Sequence, residues 1–210
     1  MPHHVVQRGN RQQAVFGGAE DYKQYCHWMN KYSAINGVDI TAFCLMTNHV
    51  HFIVIPKSED GIGKTFSIVQ MRYAQYMNKK RKTNGHLWQG RYYSCILDDQ
   101  HLYRAVRYVE MNPVRARMVK KPVDYLWSSA RWHSGIDQES NIFLKDIRMV
   151  GKNEWLEYLE ESDGNFDEMI RRKTQKGLAA GDAEFIEKLE TRFKCVLKEK
   201  TAGRPRKIGK

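Results

Sequence analysis

Apolar positions along the chain follow a period near two in some segments and a period near 3.6 in others, and the switches between them delimit the predicted elements. His3 to Gln7 is a short β-prone run that stops at a basic turn, Arg8-Gly9-Asn10-Arg11. From Ala19 to Asn36 the positions Tyr22, Tyr25, Cys26, Met29, Tyr32 and Ser33 recur at helical spacing, and Asn36-Gly37 ends the pattern. Val38 to Met46 and His49 to Pro56 are β-rich and joined only by Thr47-Asn48, which predicts an antiparallel hairpin. The helical period returns over Ile62 to Lys82 through Phe66, Val69, Met71, Tyr73, Tyr76 and Met77. Leu87 to Leu97 reads as a fourth strand, and Asp98 to Val119 as a third helix with Asp98 or Asp99 as its N-cap. The order β-α-β-β-α-β followed by a helix predicts an α+β, ferredoxin-like fold, an antiparallel sheet with helices packed on one face. Past Trp127 the pattern weakens, and Asn153 to Glu161 and Asp182 to Lys200 read as amphipathic helices, the second capped by Asp182. The expected organisation is therefore a main domain over 1–132, a helical extension over 133–200 and a flexible tail over 201–210 that carries four basic residues and no acid.

Composition narrows the function classes. No apolar run in the 210 residues approaches the roughly 18 to 20 needed to cross a bilayer, so no membrane partner is expected. The first twenty residues are polar and lack the apolar core of a signal peptide. Cys26, Cys44, Cys95 and Cys195 are scattered without a CxxC pair, which fits a reducing, cytoplasmic setting. The 35 Lys and Arg exceed the 24 Asp and Glu by 11, and most of the excess falls before residue 140. A polyanion is a better partner for that charge than a small-molecule substrate.

The chemistry concentrates in two short strings. In His49-Val50-His51 the histidines are i and i+2 of a strand, so both imidazoles project from one face and leave coordination positions open around a metal ion. Tyr108 and Asn112 are i and i+4 of the third helix and share a face, with Pro113 breaking the helix beside the asparagine amide. Two imidazoles would tolerate zinc, whereas an amide oxygen, water and phosphate oxygens favour harder ions. For phosphate contacts the sequence offers Arg8, Arg11, Lys79, Lys80, Arg81, Lys82, Arg91, Arg115 and Arg117, and for stacking on unpaired bases Trp88, Tyr92 and Tyr93. Lys79 to Lys82 also suit a solvated helix end, and Trp88 and Tyr92 also suit core packing.

Taken together, four strings carry a resemblance. Gln7-Arg8-Gly9-Asn10, Cys44-Leu45-Met46-Thr47-Asn48-His49-Val50-His51-Phe52, Trp88-Gln89-Gly90-Arg91-Tyr92 and Arg107-Tyr108-Val109-Glu110-Met111-Asn112-Pro113-Val114-Arg115-Ala116, followed by Trp127-Ser128-Ser129, resemble the REP-associated tyrosine transposases in order and spacing. These belong to the HUH single-tyrosine nucleases, named for a histidine-hydrophobe-histidine triplet. The resemblance implies a single-stranded DNA endonuclease and strand transferase, acting beside hairpins of repetitive palindromes through a 5′-phosphotyrosine intermediate. It implies His49, His51 and Asn112 as ligands of Mg2+ or Mn2+ and Tyr108 as nucleophile, in a monomer or homodimer. Other HUH enzymes often place glutamine, glutamate or histidine where Asn112 stands. The competing readings are a catalytically idle nucleic-acid-binding module on the same fold, and a hydrolase in which His49 and His51 serve a metal-activated water.

Overall fold

The computed structural model describes residues 1–147, 151–161 and 163–198. The strands are β1 (His3–Arg8), β2 (Val38–Met46), β3 (His49–Pro56), β4 (Tyr93–Leu97) and β5 (Ala179–Ala180). The α-helices are α1 (Ala19–Ile35), α2 (Gly61–Arg81), α3 (Asp99–Glu110), α4 (Asn112–Arg115), α5 (Ala130–His133), α6 (Lys152–Glu160), α7 (Gly164–Lys176) and α8 (Ala183–Phe193). The strand order β2-β3-β1-β4-β5 contains the antiparallel ferredoxin-like core, and β5 adds a short parallel edge to β4.

Side-chain alternation sorts the sheet into two faces. Val5, Phe43, Leu45, Val50, Phe52 and Val54 pack beneath α1 and α2 with Tyr25, Phe66 and Tyr73. Ala42, Cys44, Met46, Ile53, Cys95 and Leu97 pack under α3, α6 and α7 with Val106, Trp155, Phe166 and Ile170. Helices thus cover both faces, because α3, joined by α6 and α7 of the carboxy-terminal segment, forms a second layer beyond the one expected. A register shift between Ile40 and Ala42 explains why Ile40 belongs to the first core and Ala42 to the second: an extra residue reverses the facing of every residue after it. The outer edge of β2 is closed by Trp127 and Ser129, as the Leu45 N–H donates to the Trp127 carbonyl and the Ser129 N–H to that of Phe43.

Several predicted bounds are corrected. The third helix stops at Glu110 and resumes as the four-residue α4, because Pro113 has no N–H to give the Val109 carbonyl. The Asn112 side-chain amide donates to that carbonyl instead, at 3.2 Å. The fourth strand is only Tyr93–Leu97, its first half being a loop tied to β1 by the Gly9 to Trp88 bridge. The last helix ends at Phe193, and the tail at 201–210 lies outside the described residues. Asp98 caps α3 through the His101 N–H, and Asp182 caps α8 through that of Phe185.

One buried polar cluster ties the two parts of the chain together. Glu110, fully buried, accepts from Ser129 Oγ and is bonded by His133 Nδ1. Its second oxygen accepts from Trp155 Nε1 at 2.9 Å. Glu110→Ala would leave three buried polar groups without this partner, and is expected to cost about 3 kcal/mol of stability, read by urea denaturation. An unchanged midpoint would count against the cluster as an anchor.

Candidate active site

On the second sheet face a cavity of about 680 Å³ is lined by His4, Arg8, His49, His51, Tyr93, Tyr108, Asn112, Arg115, Arg171 and Thr174 among others. The register explains the gathering. His4, Val6 and Arg8 of β1 lie on the same face as His49 and His51 of β3, with Val6 opposite His51 and Arg8 opposite His49. Tyr93 of β4, opposite Val6, adds a ring that is 40% exposed.

Each histidine is held by a different partner. His49 Nδ1 lies 2.6 Å from Asn48 Oδ1. The Asn48 amide nitrogen already donates to the Gln12 carbonyl at 3.1 Å, so its oxygen accepts, His49 Nδ1 carries the proton, and Nε2 offers a lone pair. Gly9 permits this arrangement: its N–H donates to the Asn48 carbonyl, and a Cβ there would run into the Gln13 carbonyl and the Val15 side chain. His51 Nδ1 lies 3.0 Å from His4 Nε2, and His4 Nδ1 lies 2.7 Å from Thr174 Oγ1.

Tyr108 stands over the pair. Its ring meets His51 edge-on at 5.8 Å between centroids and His4 at 5.5 Å, and the Arg115 guanidinium sits 4.2 Å from the ring centroid. Asn112 donates through its amide nitrogen to the Tyr108 and Val109 carbonyls, so the carbonyl oxygen is the end of the amide left for another partner. Arg115 also bonds the Tyr108 carbonyl and pairs with Asp167 at 3.0 Å. Burial raises the Tyr108 phenol above its ordinary value, with Arg115 opposing that rise.

Burial, helped by neighbouring cations, lowers His49 to about 4 and His4 to about 3, and holds His51 well below the ordinary value of 6.5. All three are neutral at pH 7, as ligand imidazoles must be. The unfolded chain takes up these protons near 6.5, whereas the folded chain resists until about 4 for His49 and about 3 for His4. Between those limits the unfolded state binds more protons, so stability falls as pH drops from 6.5 toward 4. The thermal midpoint is therefore expected to be lower at pH 5 than at pH 7, and a midpoint that does not move would count against neutral burial.

A family model for IS200-like transposases matches residues 1–112, ending on Asn112. The chain belongs to the IS200-like transposase family. Among solved structures, the chain is similar to a REP-associated tyrosine transposase bound to a REP hairpin, at 18% identity and a TM-score of 0.55, covering 71% of this chain and 87% of that one. It is also similar to a candidate transposase from Deinococcus radiodurans R1, at 17% identity and a TM-score of 0.38, covering 52% and 88% of the respective chains. The first likeness supports the fold described above. No curated protein matches the chain.

Of the residues singled out in the sequence, the cavity gathers His49, His51, Tyr108, Asn112, Arg8, Arg115 and Tyr93. Arg11, Arg91 and Arg117 are exposed but do not line it. Lys79 to Lys82 end α2 away from it, with Lys80 on Asp21, Arg81 on the Ala14 carbonyl and Lys82 as a left-handed C-cap. Trp88 as a stacking platform is corrected: its ring is 7% exposed in the first core and its Nε1 donates to the Gln70 carbonyl. Tyr92 is half-buried against Phe66. The sequence reading missed His4, Thr174 and Arg171. The i, i+4, i+8 series Phe166, Ile170, Thr174 behind the Asp163 cap was a legible signal for α7. Among the described residues, no three His, Cys, Asp or Glu are grouped to hold a metal ion, and no helix is long and apolar enough to cross a membrane.

Proposed function

We propose that this transposase cuts and rejoins single-stranded DNA by transesterification at Tyr108. Its substrate is a strand beside a hairpin, of the kind the structural relative binds. The observation that carries the reading is the convergence in one cavity of the Tyr108 phenol with two neutral imidazoles, one of which, His49, has Nε2 fixed as a lone-pair donor.

The donor set fits a divalent cation: His49 and His51 through Nε2 and Asn112 through its carbonyl oxygen would hold Mg2+ or Mn2+, with positions left for water and phosphate oxygens. A bound ion of this kind supplies neutralisation of charge on the phosphoryl oxygens. The protein's own groups do the rest. Tyr108 Oη attacks phosphorus, a new phosphotyrosine bond forms, the bond to the departing 3′ oxygen breaks, and that oxygen leaves as a hydroxyl after taking a proton. The phenol gives up its own proton as it attacks. Burial keeps it protonated beforehand, while Arg115, Arg171 and Arg8 favour the phenolate. A free 3′-OH runs the reaction backwards without ATP, because the 5′-phosphotyrosine ester replaces one phosphate ester by another. Arg8 and Arg171 at the cavity wall suit backbone phosphates, and exposed Tyr93 suits an unpaired base.

Incubation with Mn2+ and a hairpin-flanked oligonucleotide, followed by proteolysis and mass spectrometry, should yield one adduct on the Tyr108 peptide, bearing the fragment 3′ of the cut. Binding without any adduct or cleavage would favour the idle binding module, and cleavage without adduct would favour the hydrolase.

A further inference from the structure

The two strand histidines reach the cavity with different support. His49 has a carboxamide oxygen behind it, which can only accept, so its tautomer is settled. Behind His51 stands a second imidazole. His4 and His51 lie edge to edge, with their ring planes 6° apart and centroids 5.2 Å apart, joined by the 3.0 Å contact between His4 Nε2 and His51 Nδ1. The other nitrogen of His4 ends on Thr174 Oγ1 at 2.7 Å. Between neutral partners each of these links holds one proton, so one choice of direction sets the whole series. His4 and Thr174 are both buried, 0% and 2% exposed, which keeps water from offering alternative partners.

We propose that His4 and Thr174 are positioning residues that fix His51 as its Nδ1–H tautomer, with the Nε2 lone pair toward the cavity. In that order His51 Nδ1 donates to His4 Nε2, and His4 Nδ1 donates to Thr174 Oγ1. The reverse order would put a proton on His51 Nε2 and remove a ligand. The inference rests on the metal-dependent reading above and assigns a task to the carboxy-terminal segment: Thr174 belongs to α7, outside the 1–112 match. Outer partners of ligand imidazoles commonly act in this way.

The test is 15N NMR of imidazole-labelled, metal-free full-length protein, with Mn2+ titration alongside. Wild type should show His51 protonated on Nδ1 only. His4→Phe keeps an aromatic ring without hydrogen bonds, and Thr174→Val replaces the hydroxyl with a methyl. Both should give mixed His51 tautomers and weaken Mn2+ binding by about 10- to 100-fold, and Thr174→Ser should restore both readouts. Should His4→Phe fail to fold, the Thr174 pair carries the test. A wild-type His51 protonated on Nε2, or a tautomer and Mn2+ affinity unmoved by the variants, overturns the proposal. A wild type protonated on Nδ1 whose tautomer shifts in the variants, yet which binds no Mn2+, supports the proton order and sinks the metal reading instead.

Discussion

A Tyr108→Phe variant is expected to bind a hairpin-flanked oligonucleotide as the parent does and to form no covalent adduct with it. Tyr108 is 5% exposed, and its ring packs against His4, His51 and Arg115. Phenylalanine preserves that packing. Among the described residues no hydrogen bond is made by the phenol oxygen, so folding should change by no more than about 1 kcal/mol. What disappears is the oxygen proposed to form the protein–DNA bond, and with it both cleavage and rejoining. Denaturing gels for the adduct and mobility shifts for binding separate the two effects. Adduct retained by the variant would transfer the role of nucleophile to another residue, Tyr103 being the nearest tyrosine in the same helix.

The second large effect concerns the imidazole pair, where the two positions should behave alike in activity and differently in stability. His49→Ala and His51→Ala are each expected to remove Mn2+-dependent cleavage, since each deletes one of three proposed ligands. His49 is only half-buried at the cavity rim, and its loss leaves Asn48 near solvent. Its thermal midpoint should stay close to the parent's. His51 is 4% exposed and is the partner of His4 Nε2. His51→Ala strands that buried nitrogen and opens a void, a cost of about 1 to 3 kcal/mol. Cleavage by either variant at the parent's rate, or cleavage unaffected by a chelator in the parent, would remove the metal from the account.

The ferredoxin-like core was legible because its signals are local. The hairpin around Thr47-Asn48, the helical stripe from Tyr22 to Ser33 and the strand histidines two residues apart all follow from backbone periodicity, which each segment carries within itself. The bulge near Thr41 was not legible, since nothing in a run of strand-forming residues announces one extra residue before the pairing partner is known. The split of the third helix was half-legible: Pro113 announced a break, but the Asn112 amide bonding to the Val109 carbonyl needs coordinates. Trp88 went the other way, since an aromatic beside Gln89 and Arg91 suits a nucleic-acid surface and a core equally well until its burial is known.

By itself the sequence determined which side chains share a face, and so the pairing of His49 with His51 and of Tyr108 with Asn112, because those relations are set by dihedral periods of a few residues. Only the tertiary structure decided that the two pairs meet, that His4 from the first strand stands behind His51, and that Thr174 arrives from a helix 170 residues downstream. Those contacts are products of strand register and of how α7 packs on the sheet, and they depend on the summed burial of Phe166 and Ile170 against distant residues. No local preference encodes such a sum.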